Sequence, residues 1–354
     1  MMPNITSTHE PARYACEPGQ LERDRGDILS IWRSGLSNVG QQRAKYDWFY
    51  LGGEAGEPIV SLLRHAGGSQ PVGVAAAGRR RAIWKDRLVQ AGVLVDLAVV
   101  PEHRTLFPAL LLQRSLQRAV PENLALLYGF PNPKAVPVFQ RVGYAKALDV
   151  RRFVRVLRSD RYLRRYLPGW AAAAASRPLD LLATCWDAIR VPVPRTHKST
   201  WTTTVDPRVD SLWASTEKGA GPVLVRDARF LRWRFDRMPG CAFRYLNIEA
   251  RDGRLEAWFA CEDRDGFLMV RDFWTSGGCD RLDPSVVSVL IREARKAGCP
   301  AISVEFGGSA KIVCSLESAG FSERGRRPFF AYFGPGHLPV DDANWYVTSA
   351  DEDE

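Results

Sequence analysis

The 354-residue sequence predicts an α/β (α+β) fold arranged as two lobes of similar element order, each a sheet flanked by helices. Three observations carry this. Short apolar runs separated by glycine recur in both halves, and segments with helical spacing of apolar residues follow them. A strand, a small polar turn, a short helix and a Gly-aromatic pair then occur twice. "VFQRVGY" (Val138–Tyr144) answers to "SLESAGF" (Ser315–Phe321). Recurrence of the order strands, helix, strand, helix points to an internal duplication.

The first lobe opens on "DRGDILSIWRSGL", which sets Ile28, Leu29, Ile31, Trp32 and Leu36 at helical spacing. "PIVSLLRH" (Pro58–His65), "PVGVAAAGRRRAIW" (Pro71–Trp84) and "GVLVDLAVVP" (Gly92–Pro101) read as hairpin-linked strands. "EHRTLFPALLLQRSLQRAV" turns helical near Pro108, a residue tolerated in a first turn. In "LLYGFPNPKAVPVFQRVGY" (Leu126–Tyr144) a buried strand breaks at Gly129 and hands over to a short helix closed by Gly143.

Residues 159–194 are alanine-rich, bounded by Pro168-Gly169 and by Pro192 and Pro194, and read as a helical connector. Its basic-aromatic half also reads as an interfacial anchor, which would give weak peripheral membrane association. Strands return at Gly221–Asp227, Ala242–Ala250, Arg254–Asp263 and Gly266–Trp274, followed by the helix Pro284–Gly298 and the strand Ala301–Phe306. The chain thus divides into a first lobe (1–157), a helical linker (158–200), a second lobe (201–335) and an acidic tail (336–354).

A hydrophobic content of 45% with 25% charged residues supports a sizeable core. Seven scattered cysteines without a CxxC pair support neither a disulfide framework nor a zinc ribbon, and a reduced, cytoplasmic setting is expected. No basic-then-apolar leader opens the chain, and no apolar run is long enough to span a bilayer. The net charge of +9 is concentrated between Arg141 and Tyr166, where nine bases face Asp149 and Asp160. That run reads either as a solvated face or as an attractive field for an anion. No zinc-finger spacing or aromatic RNP-like strand accompanies it, so the nucleic-acid signal is weak. The last fourteen residues carry six acids and no base, and read as a disordered, solubilising end.

"VDLAVVPEHRTLFPALLLQ" followed by "YGFPNPKAVPVFQRVGY" resembles the GNAT superfamily of acyl-CoA-dependent N-acyltransferases. The resemblance spans Tyr14 to Leu157 by motif, and Trp201 to Phe333 by order of elements. It implies two tandem GNAT-like lobes, each a central mixed, mostly antiparallel sheet. Its cofactor would be acetyl-CoA or another acyl-CoA, with no metal. Its acceptor would be a small-molecule amine or an amino sugar of cell-surface polysaccharide.

Carried onto this sequence, the resemblance implies cofactor contacts at Leu97 and Val99, with the Val99 N–H as oxyanion donor. It implies a phosphate cradle at Arg104, Thr105, Leu106, Phe107, Ala109 and Leu110. Asn132 would meet the pantetheine arm where the strand stops and splays from its neighbour, with Phe139 beside it. A helix N-terminus binds phosphate through unpaired N–H groups and its partial positive charge.

Two departures stand out. Phe107 replaces a glycine and Pro108 removes a donor, leaving Ala109 and Leu110 as the expected ones. Phe139 stands where many members carry an acidic tyrosine. Asp96, inside an apolar strand, reads either as a base raised toward neutrality by burial or as an ion pair with the Arg79–Arg81 run. Glu102 and His103 are further candidates. The second lobe has Ser309 and Leu316 where the first has Asn132 and Phe139, and reads as structural or substrate-binding. Two other functions fit the same residues: a Fem-type aminoacyl-tRNA-dependent transferase, or a catalytically degenerate scaffold.

Overall fold

The computed structural model describes residues 13–36, 39–120, 122–164, 166–190, 197–334 and 345–352. The stretch before Arg13, Arg165, Pro192, Pro194 and the acids Asp341, Asp342, Asp353 and Glu354 lie outside them.

The strands of the first half are β1 (Tyr14–Pro18), β2 (Ile59–His65), β3 (Pro71–Trp84), β4 (Arg87–Val99), β5 (Leu126–Gly129) and β6 (Ala145–Val156). Those of the second half are β7 (Lys198–Thr202), β8 (Val223–Leu224), β9 (Phe243–Glu249), β10 (Leu255–Arg264), β11 (Phe267–Thr275), β12 (Ala301–Gly308), β13 (Ser322–Tyr332) and β14 (Tyr346–Thr348).

Two separate sheets were expected from the sequence, but all fourteen described strands join in one. Read inward from its two edges, the order is β1-β2-β3-β4-β5-β13 and β7-β9-β10-β11-β12-β6. The halves therefore exchange their last strands. β13 pairs with β5 and β6, while β6 pairs with β12 and β13. Short strands β8 and β14 link β3 to β12, so eight strands close into a barrel-like ring (β3, β4, β5, β13, β6, β12, β14, β8).

Local sequence explains the repeated parts. The β3–β4 hairpin turns through Lys85 and Asp86, and the β10–β11 hairpin through Asp265 and Gly266, all with positive φ. Two such central residues match the twist of the flanking strands. Gly143 (φ +90°) and Gly320 (φ +82°) end the helices Val136–Arg141 and Ala310–Ser318. The following aromatic N–H reaches back to Phe139 O in one half and to Leu316 O in the other, at 3.0 and 3.1 Å. That left-handed helix end needs a residue without Cβ. It launches β6 and β13, the two exchanged strands, from equivalent places.

The centre of β3 is Ala75-Ala76-Ala77, fully buried, which lets elements pack closely on both faces. On one face the helix Leu106–Gln117 seats Leu112 and Leu116 against Leu63, Leu94, Leu127 and Phe330. On the other, Trp32 and Tyr46 begin a core that runs without interruption through Trp258 and Trp274.

Within the acidic stretch, the described residues are built into the fold. Trp345–Asp351 is buried, and its Asp351 has no exposed surface. Tryptophan, tyrosine and valine within the acidic stretch supply the apolar anchor that its charge count conceals.

Candidate active site

The ladder between β3 and β4 slips at one place. Val74 faces Ala98 and Ala76 faces Val95, so Asp96 and Leu97 together oppose Ala75. Asp96 is left-handed there (φ +52°), a conformation Asp tolerates better than most residues. A bulge of this kind bends its strand and re-aims the residues beyond it.

Strand β5 then leaves β4. Their parallel pairing runs through Ala91–Leu126, Gly92–Leu127 and Val93–Tyr128 and stops, although β4 continues to Val99. Among the described residues no strand takes the place of β5 along Leu94–Val99. Val100 N–H donates to Val72 O at 2.9 Å, on the β3 side. By strand alternation the Val99 N–H points the other way, toward the opening. Leu97, half-buried, packs at its edge.

The Asp96 carboxylate has partners on a neighbouring element. Lys45 Nζ lies 2.8 Å from one oxygen, and Tyr50 Oη donates to the other at 2.9 Å. The Asp96 side chain is 3% exposed. Tyr50 is itself fixed, stacked on Tyr46 at 5.0 Å and edge-on to Trp32 at 5.2 Å.

The expected ion pair with the arginine run is therefore not the one formed. Arg79 donates to Glu57 O, Arg81 pairs with Glu54 and Asp227, and Arg80 faces Asp351 at 3.6 Å. Lys45 and Tyr50 escaped the sequence reading. Their signal is the aromatic spacing of "KYDWFY", Tyr46 and Tyr50 four residues apart on one helical face.

Beyond the strand, Arg104 folds back. Its Nε and Nη2 donate to Val99 O, and Nη2 also to Ser34 O, all at 3.2 Å. The following helix starts at Leu106 with Thr105 as N-cap, two residues ahead of Pro108. Helical bonding from residue i to i−4 then engages the Ala109 and Leu110 N–H groups with Thr105 and Leu106 carbonyls. The donors expected at Ala109 and Leu110 shift instead to Leu106 and Phe107. Glu102 is exposed in the turn Pro101–His103. His103 Nδ1 sits 2.9 Å from Tyr14 Oη, with His65 and Phe107 grouped around the same tyrosine.

Asn132 is exposed at the end of β5. Its Oδ1 accepts from Lys134 and Ala135 N–H at 3.0 Å, closing the turn that leads into the short helix Val136–Arg141. Its amide NH2 remains as the outward donor. Phe139 is buried against Tyr144 (4.9 Å) and against Phe330 (5.8 Å) of the exchanged strand. Tyr144 cannot replace a missing acid. Its hydroxyl donates to Gln113, and burial drives its pKa well above the ordinary tyrosine value.

No family model and no curated protein matches the sequence. Solved structures do. A GCN5-related N-acetyltransferase from Anabaena variabilis ATCC 29413 superposes with a TM-score of 0.61 at 13% identity, covering 91% of this chain and 73% of the other. One from Kribbella flavida gives 0.58 at 13%, covering 91% and 72%. Saccharomyces cerevisiae N-myristoyltransferase with bound myristoyl-CoA gives 0.52 at 12%, covering 99% and 86%. The fold is that of the GNAT-type N-acyltransferases.

Within this GNAT fold the second half has the same opening, and fills it. β10 and β11 slip between Ala260 and Cys261, and β11–β12 pairing stops at Val270–Val304. β14 then pairs with Phe306–Gly308 of β12, while Tyr346 Oη donates to Phe273 O and Ser349 Oγ to Arg271 O on β11. The C-terminal segment lies as a wedge between the two strands. Gly308 (φ +150°) admits it, because a Cβ there would collide with the Trp345 carbonyl.

The wedge is held by buried charge. Arg226 reaches Asp272 at 3.0 Å and Asp351 at 2.6 Å, and lies over the Tyr346 ring. Arg80 adds a contact to Asp351, and Arg234 donates to Ala350 O. Sequence reading missed this cluster, since scattered arginines and aspartates look like a solvated face until distant segments cover them.

Proposed function

We propose that the protein is an acyl-CoA-dependent N-acyltransferase whose cofactor enters the first-half opening between β4 and β5. The parting of these strands beyond Val93 and Tyr128 carries the reading. A pantetheine arm is a chain of amides, and the edge of β4 that β5 leaves beyond Val93, with the Val99 N–H turned toward it, suits it as an added strand would. The likeness to a chain holding myristoyl-CoA supports an acyl-CoA as donor.

In the reaction an amine attacks the thioester carbon, the Val99 N–H takes the developing oxyanion, and the thiolate departs. The amine proton goes to Asp96, directly or through water, where the bulge sets the carboxylate on the β4 backbone. Phe139 supplies no proton, so the thiolate takes one from water. Residues 1–157 would bind the cofactor, 158–200 would link the halves, and 201–335 would complete the wall through β13. The acceptor is a small amine, and an amino sugar remains within that class.

Two observations favour a second reading, a catalytically silent scaffold: Arg104 is spent on backbone carbonyls and Phe139 is inert. Thermal-shift screening against CoA, acetyl-CoA and longer acyl-CoAs separates the two. A ligand at about 100 times its Kd stabilises the fold by about 2.7 kcal/mol. Absence of any shift with all three would select the scaffold.

A further inference from the structure

Ten large hydrophobic residues are exposed among the described ones, and six of them fall between Tyr166 and Leu182. They are Tyr166, Leu167, Trp170, Leu179, Leu181 and Leu182, with Tyr166 and Trp170 at 82% and 79% exposure. The helix Gly169–Arg190 carries four of them. Its packed side is set by Ser176, which is buried, and by Asp180, whose carboxylate accepts from Ser159 N and Oγ at 2.9 and 2.8 Å. At 3.6 residues per turn, Trp170, Arg177 and Leu181 share one flank of the exposed side, with Leu182 further round it and Leu179 on the other flank. An apolar outer face inverts the usual pattern of a surface helix and marks an interaction surface.

The charge around it identifies the partner. From Arg158 to Arg177 the sequence has five arginines against one aspartate. Arg158, Arg164 and Arg177 are exposed. Arg158 also lines a cavity of about 180 Å³ together with Val156, Phe267, Arg152 and Arg324. Leucine and tryptophan beside an arginine rim match an anionic bilayer surface, where aromatic rings sit at headgroup level. A second copy of the chain fits poorly, because two-fold pairing would set one arginine rim against the other. No helix among the described residues is long and apolar enough to cross a membrane.

We propose that the Arg158–Leu182 segment docks this protein on an anionic lipid surface, with Trp170, Leu181 and Leu182 entering the interface and the arginines meeting headgroups. The proposal stands apart from the cofactor reading. It is tested by co-sedimentation of the full chain with phosphatidylcholine vesicles with and without phosphatidylserine.

Binding is expected only with phosphatidylserine, weakening as salt rises. The double variant Arg164→Gln/Arg177→Gln should lose roughly 25-fold in affinity, about fivefold per arginine. Trp170→Ser/Leu181→Ser should lose binding while keeping the wild-type melting temperature, since both side chains are exposed. Failure to bind phosphatidylserine vesicles at low salt would overturn the proposal. So would equal binding to phosphatidylcholine alone, or unchanged binding by the Trp170/Leu181 variant. A wild-type dimer split by Trp170→Ser, with no vesicle binding, would assign the face to a second copy instead.

Discussion

At Asp96 the backbone turns left-handed while the carboxylate is closed between Lys45 and Tyr50. Asn keeps the shape and tolerates the same φ, so Asp96→Asn separates chemistry from structure. If Asp96 is the base, CoA release with an amine that the wild type acylates should fall about 100-fold or more in kcat, with KM for acyl-CoA unchanged. A melting temperature lowered with kcat intact would make it a structural residue.

A second residue-scale prediction concerns Asp272. Burial and the nearby Asp351 push its pKa up to about 6 from 3.8, against the pull of Arg226. A carboxyl raised in the fold holds its proton more tightly folded than unfolded. Its contribution is therefore present below pH 4 and is lost as pH rises to about 6. Stability of the wild type measured relative to Asp272→Asn should decline across that window and level off above it. A flat difference would contradict the assignment.

Among elements, the segment Trp345–Asp351 shows what local patterns convey and what they omit. "DDANWYVTSADEDE" has the composition of a solvated tail, yet its aromatic and β-branched residues sit in the second-half opening and Asp351 faces Arg226 and Arg80. No local signal names that partner, which lies over a hundred residues away. By contrast, "VGY" and "AGF" were legible, because a glycine-ended helix before a strand is set by nearest neighbours. Helix Leu106–Gln117 lies between these cases. Pro108 fixes a first turn, but Thr105 as N-cap moved the start by two residues. Asp351→Ala should take a carboxylate partner from two buried arginines and cost about 3–5 kcal/mol in urea unfolding. A loss below 1 kcal/mol would mean that apolar packing alone holds the wedge.

For the whole molecule, the duplicated order of strands was readable and the sheet connecting them was not. Periodicity reports that β6 and β13 are strands, but pairing partners are settled by long-range packing. Since among the described residues β6 pairs with β12 and β13 and not with a first-half strand, and one edge of β5 pairs with β13, residues 1–157 alone would leave β6 and that edge of β5 unpaired. That fragment is expected to show no cooperative melt, while the full chain melts in one transition seen alike by circular dichroism and fluorescence. A fragment that folds as a stable monomer would restore the picture of independent lobes.

The two openings of the molecule also differ in a way that one measurement resolves. Hydrogen–deuterium exchange with and without acetyl-CoA reads the backbone amides of both at once. Slower exchange is predicted at Leu97–Val99 and at Leu106 and Phe107, with Arg271–Thr275 unchanged, because β14 already occupies the second opening. Protection confined to Arg271–Thr275, or no protection along β4 at saturating acetyl-CoA, would contradict a cofactor site between β4 and β5.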